Sequence, residues 1–71
     1  EGRIDAVMET PDHVYIMEFK RNASADDALA QIKEKKYFER FLESGKRITL
    51  VGVNFNSEIK NIDEFKIERI L

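Results

Sequence analysis

The protein has 71 residues, 12 of them basic and 14 acidic, a formal net charge of -2, a single histidine, and neither cysteine nor tryptophan. This composition excludes disulfides, a thiol nucleophile and zinc sites built from cysteine or several histidines, so any metal would be held by oxygen. No apolar run approaches the roughly 20 residues of a membrane-spanning helix, and no signal peptide precedes the first strand-like segment. We expect one small, soluble, cytoplasmic domain without a general attraction for nucleic acid.

Two strand-like segments open the sequence. Residues 3–9 and 14–20 each alternate between two faces, and the loop between them contains the only proline, Pro11. Both faces of both segments carry apolar residues, which predicts strands that are buried on two sides. The two segments are interpreted as a β-hairpin.

The length of the loop predicts how the two strands align. A four-residue loop with proline at the position that favours a type I turn pairs Glu9 with Val14, and therefore Asp5 with Glu18. Lys20 lies two residues after Glu18 and so on the same face. A slip of one residue would move Asp5 away from the other two, so any chemistry shared by these residues depends on this register.

A helix is predicted from residue 25 to residue 43. Ser24 is a suitable N-cap, Asp26 and Asp27 lie in the first turn, and Gly45 follows the last turn. The apolar residues of the second half lie on a different arc from those of the first half. We therefore expect a second surface to cover them, either a further segment of a longer protein or a second copy. These residues are Tyr37, Phe38, Phe41 and Leu42.

The basic residues of the helix alternate with glutamates. This pattern is typical of a solvated helix face with ion pairs one turn apart, rather than of a DNA-binding track. The basic residues are Lys33, Lys35, Lys36 and Arg40.

Two further strands follow the helix. Residues 47–55 are apolar on both faces, which predicts a central strand, parallel to a hairpin strand because a helix connects them. Residues 64–70 alternate and are predicted to form an antiparallel strand near an edge. The predicted fold is α/β, in the order β-β-α-β-β, with a mixed sheet and one long helix.

Asp5, Glu18 and Lys20 are the candidate chemical residues. Two opposed carboxylates repel each other unless a cation lies between them, and oxygen ligands without sulfur or imidazole suit Mg²⁺ or Mn²⁺. Lys20 could orient or help to deprotonate a water, or neutralise charge on a phosphoryl group. The alternative is an ordinary solvated pair near a strand end, in which Asp5 pairs with Arg3 or Lys20.

Several segments together carry a family resemblance. They are GRID at residues 2–5, VYIMEFK at 14–20, ALAQI at 28–32, KKY at 35–37 and VGVNF at 51–55. With them the sequence resembles the PD-(D/E)xK nuclease superfamily over nearly its whole length. More narrowly, it resembles the bacterial domain that follows an AAA-ATPase-like domain in many uncharacterised proteins. The resemblance implies a truncated restriction-endonuclease-like core, because a helix and a strand precede the Asp-bearing strand in that superfamily.

The resemblance also implies roles for individual residues. Asp5 matches the first acidic metal ligand, Glu18 matches the acid of the ExK element, and Lys20 matches its lysine. The main-chain carbonyl of Phe19 would be a further ligand. Two helix residues, Gln31 and Lys35, could contact a phosphate or the catalytic groups. The alternative interpretation is that both belong to an ordinary polar helix face.

The function implied is Mg²⁺- or Mn²⁺-dependent cleavage of a nucleic acid, with DNA the expected substrate, in a longer protein that also carries an ATPase-like domain. Two alternatives stay open at this point. One is a noncatalytic module of the same fold that mediates oligomerisation or docking, and the other is an α/β fragment without a site.

Overall fold

The computed structural model describes the backbone of residues 4–71 and the side chains from residue 6 onward. The described chain forms a mixed four-stranded sheet and one α-helix followed by a short 3-10 helix, which confirms the α/β class. The elements are β1 (Ile4–Glu9), β2 (His13–Arg21), α1 (Ala25–Lys35), the 3-10 helix (Tyr37–Phe41), β3 (Arg47–Asn56) and β4 (Asn61–Arg69).

The strands lie in the order β1-β2-β3-β4, with β2 and β3 parallel and both outer pairs antiparallel. The predicted hairpin register is confirmed, because Glu9 pairs with Val14 and Asp5 pairs with Glu18. The backbone N–H of Thr10 donates to the carbonyl of His13 at 2.8 Å and closes the turn.

One face of the sheet packs against α1. The fully or nearly buried residues of this core are Val14, Ile16, Leu29, Ile32, Ile48 and Leu50. The helix begins as predicted, with the Ser24 hydroxyl accepting the backbone N–H of Asp27 at 3.0 Å. The Glu64 carboxylate on β4 accepts the backbone N–H of Ala25 at 2.8 Å, so the first turn of α1 is also held by the sheet.

The predicted end of the helix at residue 43 is wrong. The α-helix ends at Lys35, because Lys36 adopts the left-handed conformation (φ 58°) and its N–H donates to the carbonyl of Ile32 at 2.9 Å. The chain then turns into the 3-10 helix, and its aromatic residues pack against the same core as α1. These residues are Tyr37, Phe38 and Phe41. The change of direction brings three of the four residues of the second apolar arc back to the first surface, whereas Leu42 remains 44% exposed.

The outer strands are more exposed than the sequence pattern indicated. Val7 and Met8 on β1 are 43% and 50% exposed, so β1 is an edge strand that is not buried on two sides. At the other edge, β4 begins at Asn61, three residues before the predicted start. Neither helix of the described residues is long and apolar enough to cross a membrane. The cytoplasmic location stays a prediction.

A polar clamp joins the end of β3 to the start of β4. The Nδ2 atom of Asn54 donates to Asp63 Oδ1 at 3.0 Å, and the Nδ2 atom of Asn56 donates to Asp63 Oδ2 at 3.2 Å. These two hydrogen bonds lower the pKa of the Asp63 carboxyl, and the hydrogen bond from Asn54 has the larger effect. The Asn54 Oδ1 atom also accepts the backbone N–H of Ala23 at 2.8 Å, so the clamp extends to the loop before α1.

This clamp predicts a pH dependence of stability. A carboxyl whose pKa is lowered by folding stabilises the folded state above its unfolded pKa of about 4, and this contribution is lost as the pH falls through the folded pKa. We expect the melting temperature of Asp63→Asn to lie below that of the unchanged protein at neutral pH, and the gap to shrink below about pH 4. Thermal melting across pH measures the gap. Glu58→Gln, an exposed carboxyl in the adjacent turn, is the control, and a gap that does not change with pH would contradict the prediction.

Candidate active site

Asp5 and Glu18 are direct partners across β1 and β2. Residues that are directly opposed in an antiparallel pair lie on the same face, and this face is the one that packs against α1. The side chain of Glu18 is fully buried, at 0% exposure. For Asp5 the structure describes the backbone register. The register thus brings the two predicted acidic residues together at one position of the helix-covered face.

Lys20 follows Glu18 by two residues on β2, so its side chain leaves the strand on the same side. It is half-buried, close to the end of the strand. Phe19 lies between them and directs its side chain to the opposite face, so only its main chain is available to this site. Glu18 and Lys20 thus lie on one face, and the backbone register places Asp5 opposite Glu18. Arg3, the alternative partner of Asp5, lies outside the described residues.

Two residues of β3 flank the site and were not singled out from the sequence. Gly52 is the parallel neighbour of Glu18, and Asn54 is the parallel neighbour of Lys20. A Cβ atom on Gly52 would lie 2.6 Å from the carbonyl oxygen of Ala25, so only glycine allows the first turn of α1 to lie this close to β3. Asn54 is 2% exposed and holds the loop before α1. The sequence signal that could have identified them is a glycine and an asparagine within a mostly apolar strand.

The two predicted helix residues lie one turn apart on α1. Gln31 and Lys35 are both half-buried, and their spacing places them on the same side of the helix. Lys35 borders a cavity with Val7 and Ile16, which lie two residues from Asp5 and Glu18 on β1 and β2. The Nζ atom of Lys35 is 5.6 Å from the centre of the Tyr37 ring. Contact of either residue with a phosphate stays a prediction.

The donors of this position suit a hard divalent cation. Carboxylates and a main-chain carbonyl are oxygen donors, which Mg²⁺ and Ca²⁺ prefer. The side chain of Glu18 is fully buried, and burial of an ionised carboxylate is costly unless it is paired or coordinates a metal. Among the side chains that the structure describes, no three acidic or histidine residues form a metal-binding group.

Comparison with known proteins agrees with this geometry. A sequence model of the PD-(D/E)XK nuclease superfamily matches residues 1–65. A curated protein of Azotobacter chroococcum mcd 1, described as "Uncharacterized protein in vnfD 5'region", is 35% identical over 71 aligned residues. That match covers 97% of this chain and 14% of the relative, so the chain spans about one seventh of the relative's length. No solved structure matches significantly.

The family model covers most of the chain, including both hairpin strands, the helix and β3. The chain belongs to the PD-(D/E)XK nuclease superfamily.

Proposed function

We propose that a longer protein containing this domain hydrolyses nucleic-acid phosphodiesters with the help of a divalent metal ion that this domain binds. The observation that carries the proposal is the pairing of Asp5 with Glu18 beside Lys20, on the helix-covered face of a PD-(D/E)XK superfamily member. Membership of the superfamily supports a nuclease-type fold, and the chemistry assigned to the individual residues is the proposal.

Asp5, Glu18 and the main-chain carbonyl of Phe19 are the proposed ligands of Mg²⁺ or Mn²⁺. When bound, the ion supplies a polarised water and stabilises negative charge on the phosphoryl oxygens. Lys20 orients the attacking water or contacts the scissile phosphate through its ammonium group. Burial of Glu18 holds its carboxylate in one place, which favours a fixed geometry.

Nucleic acid, with DNA as the expected form, is the proposed substrate. The chain has a net charge of -2, so contact with a phosphate backbone has to come from a local group of basic residues. Lys20 and Arg21 at the end of β2, with Lys35 on α1, lie on or next to the face that carries the acidic pair. An ATPase-like domain in the same longer protein is part of the same proposal. The curated relative is about seven times as long as this chain, which leaves room for a further domain.

Metal binding is tested by thermal melting. At a Mg²⁺ or Mn²⁺ concentration about tenfold above Kd, binding to the native state alone adds about 1.4 kcal/mol, which corresponds to a rise of about 5 to 11 °C for a domain of this size. We expect this rise for the unchanged protein and its loss in Asp5→Asn. Asp12→Asn, which changes a carboxylate in the hairpin loop, is the matched control and keeps the rise. An equal rise in all three proteins would contradict the proposed ligands.

The role of Lys20 is tested by cleavage in the full-length protein. Lys20→Ala is expected to lower the rate by about 10²- to 10⁴-fold, the usual contribution of a positioned proton-transfer group, while the metal-dependent melting shift is retained. Lys66→Ala is the matched control, because Lys66 lies on the same sheet face but forms an exposed ion pair with Asp26 at 2.8 Å. Unchanged cleavage by Lys20→Ala would remove this residue from the mechanism.

A noncatalytic role in self-association is the second candidate, and the face of the sheet opposite α1 favours it. Phe65 and Ile67 on β4 are 66% and 63% exposed, and no described segment covers this face. We call it the open sheet face. Its apolar residues include Tyr15, Met17, Phe19, Val51, Val53, Phe65 and Ile67. Such a face is uncharged at its centre, so a second copy can pack against it without repulsion between like charges.

Self-association is tested by the size of the protein in solution. If the open sheet face joins two copies, the unchanged protein forms a dimer at micromolar concentration and Ile67→Glu is monomeric, because a buried unpaired carboxylate opposes the contact. Ile59→Glu changes an equally exposed isoleucine in the turn before β4 and is expected to remain dimeric. A protein that stays monomeric over the whole concentration range would eliminate this candidate.

A further inference from the structure

A cavity of about 690 Å³ opens on the helix-covered face of the sheet. It lies between the two hairpin strands on one side and the end of α1 and the 3-10 helix on the other. Its lining residues are Ala6, Val7, Ile16, Lys35, Lys36, Tyr37, Glu39 and Arg40. The volume lies within the range of small-molecule binding pockets and exceeds what a nucleobase requires.

The floor of the cavity is apolar and one wall is aromatic. Val7 and Ile16 supply the floor from neighbouring strands, where they are direct partners. Tyr37 supplies the wall, and its ring is half-buried because it packs against the core from the 3-10 helix. An apolar floor beside an aromatic ring is the environment that a nucleobase occupies when it stacks on protein.

The rim of the cavity is basic, although the chain as a whole is acidic. Three basic residues, Lys35, Lys36 and Arg40, line it with one acidic residue, Glu39. Lys36 and Arg40 are four residues apart, so they would also be neighbours on a straight helix. The left-handed conformation of Lys36 turns the chain over the sheet immediately after α1, and this turn places the basic residues beside the apolar floor.

The cavity lies next to the acidic pair. Val7 and Ile16 lie two residues from Asp5 and Glu18 along the same two strands and on the same face. Two residues of a β-strand span about 6.6 Å. The floor of the cavity therefore lies about 6.6 Å along the strands from the position proposed for the scissile phosphate.

We propose that this cavity binds one nucleotide of the substrate strand, with the base on the apolar floor against Tyr37 and the neighbouring phosphates at Lys35, Lys36 and Arg40. A base can enter only when it is released from its stack and its complementary strand, so the substrate class is single-stranded or frayed nucleic acid. This inference rests on the proposed function in one respect, namely that the substrate is a nucleic acid.

The test measures binding of a labelled single strand of about ten nucleotides to the full-length protein in the presence of EDTA, which prevents metal-dependent cleavage. The variant Lys36→Ala/Arg40→Ala is expected to bind about tenfold or more weakly, and the slope of log affinity against log salt is expected to fall by about 1.4, since two phosphate contacts are lost. The unchanged protein is expected to prefer the single strand to the corresponding duplex.

The chain offers a matched control in Lys60→Ala/Arg69→Ala. This variant also removes one lysine and one arginine, and Lys60 has the same left-handed backbone as Lys36, with φ 57° against 58°. Arg69 is exposed and pairs with Thr49 of β3, on the open sheet face. This control is expected to bind as the unchanged protein does. Equal binding by the two double variants, or equal binding of single strand and duplex by the unchanged protein, would overturn the proposal.

The aromatic wall is tested separately. Tyr37→Leu keeps an apolar side chain against the core but removes the ring, and it is expected to weaken single-strand binding by about tenfold. Phe38→Leu, which also packs against the core but does not line the cavity, is the control and is expected to bind normally. An acidic peptide that competes as well as the oligonucleotide would overturn the assignment to nucleic acid.

The outcomes separate this inference from the proposed function. Binding that depends on Lys36, Arg40 and Tyr37 in EDTA, in a protein that never cleaves with metal, would support the cavity and refute the catalytic proposal. Cleavage that continues with unchanged KM in Lys36→Ala/Arg40→Ala would leave the catalytic proposal intact and refute the cavity.

Discussion

The alignment of β1 with β2 is the constraint on which the site depends. The turn closes with a hydrogen bond from the Thr10 N–H to the His13 carbonyl, and from there the pairing proceeds two residues at a time to Asp5 and Glu18. Because side chains alternate between faces, a slip of one residue would place one carboxylate among the helix-facing residues and the other on the open sheet face. A short loop far from the acidic residues thus determines whether they can share an ion.

The reversal of the chain at Lys36 has two consequences. It returns the aromatic residues after α1 to the core that α1 already covers, so a domain of 71 residues gains apolar burial from a second short helix. It also brings basic side chains over the hairpin strands, where they border a cavity with an apolar floor. Stability and the proposed nucleotide contact therefore come from the same backbone conformation, and a change at Lys36 is expected to affect both.

The two faces of the sheet carry different kinds of surface. The face under α1 combines the apolar core with Glu18, Lys20 and the cavity, whereas the open sheet face is apolar and exposed at Phe65 and Ile67. A second copy on the open sheet face would leave the acidic pair and the cavity accessible, because they lie on the other side of the strands. The catalytic and self-association proposals are thus structurally compatible, and one protein could satisfy both.

Local features of this protein were predictable from its sequence. Alternation and loop length predicted the hairpin register, Ser24 predicted the start of the helix, and the combined motifs indicated the superfamily, because each signal depends on residues close together in the chain. The end of α1 was not predictable in this way, since a lysine in the left-handed conformation leaves no mark in a run of good helix formers. The exposure of β1 and β4, the clamp around Asp63 and the cavity were not predictable either, because they depend on which distant segments pack together.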